Sequence, residues 1–170
     1  MRRLFLIVLV LAVSGAVGGC GFKLRGAYTL PFDTLYIAYP ENTPLYSVLK
    51  RGIEASTQTR IVTDKKKAQA SFVVVGDVQA QNILALDTAG NVAEYQLVRT
   101  FSFRVNDAAD HELIPPSAIA IHRDVSFNNA QALAKESEDA LLWRDIENDL
   151  VQQILRRLAT AKPKPAEEDR

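Results

Sequence analysis

The alternation of apolar and polar positions along the chain predicts one strand, one helix, three longer strands and a long closing helix. Thr34-Leu35-Tyr36-Ile37-Ala38-Tyr39 is rich in β-branched and aromatic residues and reads as a strand. Pro40 closes it, since proline cannot donate to a central ladder. Thr43-Pro44 opens a helix, with threonine as cap and proline where a missing N–H costs nothing. Leu45, Val48, Leu49 and Ile53 then fall at helical spacing, and Arg60 to Thr63 is a brief extended stretch.

Three strands follow. In the first, Ser71 to Gln81, Phe72, Val74, Val78 and Ala80 share one side, with Asp77, Gln79 and Gln81 on the other. A turn over residues 86–91 leads to a long strand, Val92 to Asn106. Its apolar phase is Ala93, Tyr95, Leu97, Phe101, Phe103 and Val105, opposite Glu94, Gln96, Thr100, Ser102 and Arg104. A polar loop, Asn106 to Glu112, is closed by Pro115-Pro116. The last strand, Ala118 to Phe127, turns Ile119, Ile121, Val125 and Phe127 one way. Arg99 and Arg123 interrupt the apolar phases of these two strands in the same manner. An unpaired buried guanidinium is too costly, so each must be paired, snorkel outward, face a ligand or mark a register change.

From Asn129 to Leu158 the pattern is one helix, with Asn129 as cap, acids at Glu136, Glu138 and Asp139, and Arg156-Arg157 at its end. Its apolar stripe runs Leu133, Ser137, Leu141, Leu142, Ile146, Leu150, Ile154 and Leu158, widened by Trp143, Val151 and Leu155. Lys135 and Asp139 stand four apart, where they can pair. The polar face is acidic and amide-bearing, which favours packing on a sheet over lying on a membrane. The order of elements predicts a single α+β domain, helices against one sheet face.

The amino-terminal end has another character. Met1-Arg2-Arg3, an apolar run from Leu4 to Val13 and a small-residue exit at Ser14 to Gly19 are the parts of a secretory signal. The apolar run is too short to span a bilayer, which takes roughly 20 residues. Val17-Gly18-Gly19-Cys20 resembles a bacterial lipobox, which implies cleavage before Cys20 and its acylation. Two or more acyl chains anchor a protein stably. Gly21, where inner-membrane lipoproteins often carry Asp, favours the outer membrane. Residues 1–19 are therefore expected as signal peptide, 20–30 as lipidated linker, 31–158 as the folded domain and 159–170 as a disordered tail.

Charge and chemistry narrow the function further. Without Arg2 and Arg3 the chain has 18 basic and 20 acidic residues, which argues against a general nucleic-acid binder. Cys20 is the only cysteine, so no internal disulfide forms. No G-x-S-x-G, P-loop, H-E-x-x-H or calcium-loop spacing occurs, and neither His111 nor His122 has a readable triad or zinc partner. No enzyme activity, cofactor or metal is expected. Lys65-Lys66-Lys67 is either a solvated turn or one side of a site for an anionic ligand.

Cys20-Gly21-Phe22-Lys23-Leu24-Arg25-Gly26 resembles the mature start of the LPS-assembly lipoprotein LptE family. Ala132 to Glu138, Leu141 to Ile146 and Gln152 to Leu158 are similar to the family's C-terminal helix, and Arg123 stands where the family tends to have arginine. The resemblance implies two helices packed on one face of a four-stranded, largely antiparallel mixed sheet. It implies two partners besides the outer-membrane lipid that holds Cys20: the LptD β-barrel, whose lumen the protein plugs from the periplasmic side and whose assembly it assists, and lipopolysaccharide. Spacing alone nominates Arg99, Arg104, Arg123, Lys65, Lys66 and Lys67 as lipopolysaccharide contacts. The alternative is an outer-membrane lipoprotein that scaffolds another envelope complex without binding glycolipid.

Overall fold

A computed structural model describes residues 28–127 and 132–161; the signal peptide, Cys20, Asn129 and most of the tail lie outside them. The elements are β1 (Thr34–Ala38), α1 (Pro44–Ser56), β2 (Arg60–Val62), a single 3-10 turn at Lys65–Lys67, β3 (Ala70–Leu86), β4 (Val92–Asp107), β5 (Glu112–Ser126) and α2 (Ala132–Leu158). They build a five-stranded sheet in the order β2-β1-β3-β4-β5. The expectation of four strands is thus corrected. The brief extended stretch is a true edge strand, its three residues pairing in parallel with Thr34, Leu35 and Tyr36. Three residues give almost no period-2 signal, so composition could not place it in the sheet. β1 is also parallel to β3, while β3–β4 and β4–β5 are antiparallel.

Both helices lie on one face. The Thr43 hydroxyl accepts from the Tyr46 amide at 3.3 Å, and Pro44 occupies the first helical position. Leu45, Tyr46, Leu49 and Ile53 of α1 are buried. Gly52 lets the helices meet: a Cβ there would stand 2.7 Å from a Val151 methyl. In α2, Ile146, Leu150, Val151, Ile154, Leu155 and Leu158 are buried against Phe72, Tyr95, Leu97, Phe101, Phe103 and the apolar residues of β5. The predicted stripe holds for this half. Toward the N-terminal end Leu141, half a turn round the helix from Leu150, leaves the stripe at 59% exposure, while Leu142 and Trp143 are partly buried against the core.

β4 and β5 keep their predicted phases; β3 does not. A bulge between Val74 and Gly76 places one extra residue on β3. Beyond it, Asp77, Gln79 and Gln81 oppose Phe101, Arg99 and Leu97 and so face the helices, while Val78 turns outward at 60% exposure. A bulge shifts the side-chain alternation by one and exchanges the two faces. Pro115 and Pro116 lie inside β5, not in the loop before it. One residue there is extra relative to β4 and a second falls at Leu113, as bulges on an edge strand permit.

Candidate functional site

Beside the N-terminal part of α2, over the Gln81 end of the sheet, lies a cleft of about 310 Å³, lined by Gln81, Val92, Tyr95, Phe127, Lys135, Glu136 and Asp139. Its floor is apolar. Tyr95 is almost fully buried and meets the Phe127 ring edge-on at a centroid distance of 6.1 Å. Its hydroxyl donates to the Asp139 carboxylate at 2.5 Å, latching the outer half of α2 to β4. Burial, then this bond, raise the phenol well above its ordinary value of 10. Because the folded value is the higher one, stability from the neutral phenol is complete below pH 10 and is lost as pH climbs beyond it. A difference-ultraviolet titration should therefore show Tyr95 among the last tyrosines to ionise, a signal absent in Tyr95→Phe. Lys135 pairs with Glu138 at 2.7 Å, not with Asp139, which Tyr95 has taken.

Two turns further down α2 lies a second polar contact. Arg99, 4% exposed, gives a two-pronged pair to Asp77 at 2.9 and 2.7 Å and stands 3.7 Å from Glu147 of α2. The Tyr39 hydroxyl also donates to Asp77. Desolvation opposes the guanidinium charge, but the Asp77 bonds and the neighbouring carboxylates outweigh it and raise the pKa. Arg123 faces the same helix and meets Asp149 at 3.4 Å, with more than a third of each side chain exposed. Both arginines thus interrupt their strands to meet α2. Glu94 and Asp124 lie on the opposite face from Arg99, and Asp124 instead accepts from Gln96.

The remaining candidates lie elsewhere. The lysine turn is exposed and touches the start of β1, where the Thr34 hydroxyl donates to the Lys67 carbonyl. Arg104 opposes Val73 on the helix-free face. Gln81 is 11 residues beyond Ala70 on β3, or roughly 36 Å at about 3.3 Å per residue. The lysine turn and the cleft are therefore at opposite ends of the sheet. A hollow of about 540 Å³ near the lysine turn is lined by Asp33, Gln69 and Asp107 among others. Two of them are already bonded, Gln69 to the Asp33 amide and Asp107 to the amides of Ala109 and His111. Sequence reasoning missed Tyr95, Phe127 and Asp139 as a group, because only the fold joins three elements there.

The model of the family described as LptE, lipopolysaccharide-assembly, matches residues 32–158. The chain belongs to that LptE family. It is 30% identical over 163 residues to an LPS-assembly lipoprotein LptE of Pectobacterium atrosepticum, covering 94% of this chain and 86% of that one. It is 28% identical over 160 residues to the Yersinia enterocolitica LptE, covering 92% and 76%. Among solved structures, an uncharacterized lipoprotein B from Nitrosomonas europaea superposes with a TM-score of 0.71 at 37% identity, covering 82% of this chain and 90% of that one. Rare lipoprotein B from Shewanella oneidensis gives 0.65 at 25%, covering 75% and 94%. The chain is accordingly an outer-membrane lipoprotein of lipopolysaccharide assembly, and the family is not a catalytic one. Among the described residues no group of three or more potential metal ligands occurs, and no helix is long and apolar enough to cross a membrane.

Proposed function

We propose that this lipoprotein sits in the lumen of the LptD β-barrel, assists its assembly and binds lipopolysaccharide in the cleft beneath the outer half of α2. The observation that carries the ligand site is the composition of that cleft. An apolar floor of Tyr95, Phe127 and Val92 suits acyl chains, and Lys135 at the rim, beside Glu136 and Asp139, meets a lipid phosphate by exchanging its partly exposed pair with Glu138. A nearly neutral domain needs its cations placed rather than plentiful. Arg123 supplies a second one, on the diagonal of Tyr95 across β4 and β5, roughly 7–8 Å away. Arg99 is committed to Asp77 and acts by holding α2 over the cleft. Arg104 and Lys65 to Lys67 add a looser, salt-screened attraction from outside it.

The test is a lipopolysaccharide titration at two salt concentrations, each variant first checked by circular dichroism. Lys135→Ala is expected to weaken binding by about 1.5–3 kcal/mol, as for a hydrogen bond to a charged group. Phe127→Asp should weaken it further. The triple alanine variant of Lys65, Lys66 and Lys67 should differ from the parent only at low salt. Parental binding by both cleft variants would dismiss this site. Co-purification of one large β-barrel with the native lipoprotein tests the partnership, and its absence would favour the scaffold of another envelope complex.

A further inference from the structure

The sheet has two long strands with an open side, and they are treated differently. β5 carries Pro115, Pro116, His122, Arg123 and Asp124 along its outer edge, the devices by which proteins discourage strand pairing. β3 carries no proline or charge from Val78 onward, and its only irregularities there fall at the tip, between Ile83 and Leu86. β1 covers only Ala70 to Val73, so from Val74 to Leu86 β3 has β4 on one side and, among the described residues, no strand on the other. From Val78 to Leu86 the edge reads Val-Gln-Ala-Gln-Asn-Ile-Leu-Ala-Leu, without a charge or a proline. Val78, Ile83, Leu84 and Leu86 are each about half exposed or more. A long, neutral, apolar open edge in a folded protein is a template for another strand.

Its occupant is neither end of this chain. The described chain begins at Tyr28, whose amide bonds the Ser56 carbonyl at the far end of the sheet. Eight residues from Cys20 to Ala27 span at most about 28 Å, while Leu86 lies roughly 53 Å along β3 from Ala70. Residues 162–170 carry Pro163 and Pro165, which cannot complete a ladder. A second copy is also a poor occupant. Nine residues of edge, about 30 Å long and about 10 Å deep, bury roughly 600 Å² in total, against about 1,200–2,000 Å² for a stable interface. The edge therefore serves a partner that meets the domain elsewhere as well.

We infer that β3 from Val78 to Leu86 accepts one extended, uncharged segment of the β-barrel partner as a sixth strand. This rests on the barrel partnership proposed above. Gln79, Gln81 and Ile83 would neighbour its side chains on the helix face, and Val78, Ala80 and Asn82 on the other. Single cysteines at Gln79, Ala80, Gln81 and Asn82, with Cys20 the only native cysteine, are paired with a cysteine panel along the barrel's lumenal segments and oxidised in cells. Strand pairing brings opposed Cα atoms to about 4.5–5.5 Å, within disulfide reach. The expected result is cross-linking to one contiguous segment whose partner position moves by one residue for each step along β3. Independently, the Ala80→Lys/Asn82→Lys variant, with circular dichroism unchanged, should recover at least fivefold less barrel. If the barrel co-purifies but these positions cross-link without register, or not at all, the strand pairing is wrong and the partnership stands. Disulfides joining two copies through β3 would overturn it in favour of a dimer. Failure of the parent to recover any barrel removes both.

Discussion

Arg99→Ala is expected to destabilise the domain by about 3–5 kcal/mol, the range for stranding the partner of a buried ion pair. The argument begins with position. Arg99 replaces an apolar residue in the core phase of β4, and Asp77 reaches it only because the β3 bulge turns that carboxylate inward. Removing the guanidinium strands the carboxylates of Asp77 and Glu147, whose side chains are 13% and 17% exposed in the intact protein, and leaves Asp77 the Tyr39 hydroxyl as a donor. The loss should appear as a lower denaturant midpoint with unchanged slope. The double variant Arg99→Met/Asp77→Leu should recover most of it, since a well-packed apolar pair can match a buried ionic one. If Arg99→Ala melts like the parent, the pair is not what holds this part of α2.

Leu150→Asp should cost as much or more. Leu150 is 1% exposed at the centre of the packed half of α2. Losing a buried leucine side chain costs about 2–5 kcal/mol, and a carboxylate left there without a partner adds to it. For a domain of this size each kcal/mol lowers the melting temperature by about 2–4 °C. Leu141→Asp, one exposed stretch earlier on the same helix, serves as the control and should shift it by a few tenths of a kcal/mol. Equal effects at the two positions would show that Leu141 is packed as Leu150 is, contrary to its exposure.

The contrast between these positions also shows what a linear pattern reveals. β4 and β5 were legible because their apolar residues alternate across the core with one arginine each as the interruption, so their phases follow from the strand's period of two. The same rule misassigned the outer half of β3, where one unpaired residue reverses it. Gly76 in the middle of a strand pattern was the available signal, since glycine there often marks a bulge. The pairing of both arginines with α2 was half visible: each was marked as needing a partner, but Asp77, Glu147 and Asp149 are remote in sequence. The cleft was not visible at all. Tyr95, Phe127 and Asp139 each fit their own element's pattern, and only the packing of α2 across the sheet brings them around one space.

Position 75 illustrates how a residue can leave the ladder without disturbing the side chains beyond it. Val75 is 59% exposed, so its identity has little to hold in place. It is the residue that the bulge leaves unpaired, and looping it out is what sets Asp77 opposite Phe101, on the face where Arg99 meets it. Deleting it would join Val74 to Gly76 and leave those pairings as they are. Among descendants of this chain, position 75 should therefore tolerate both substitution and single-residue deletion, drifting in spelling and in length alike.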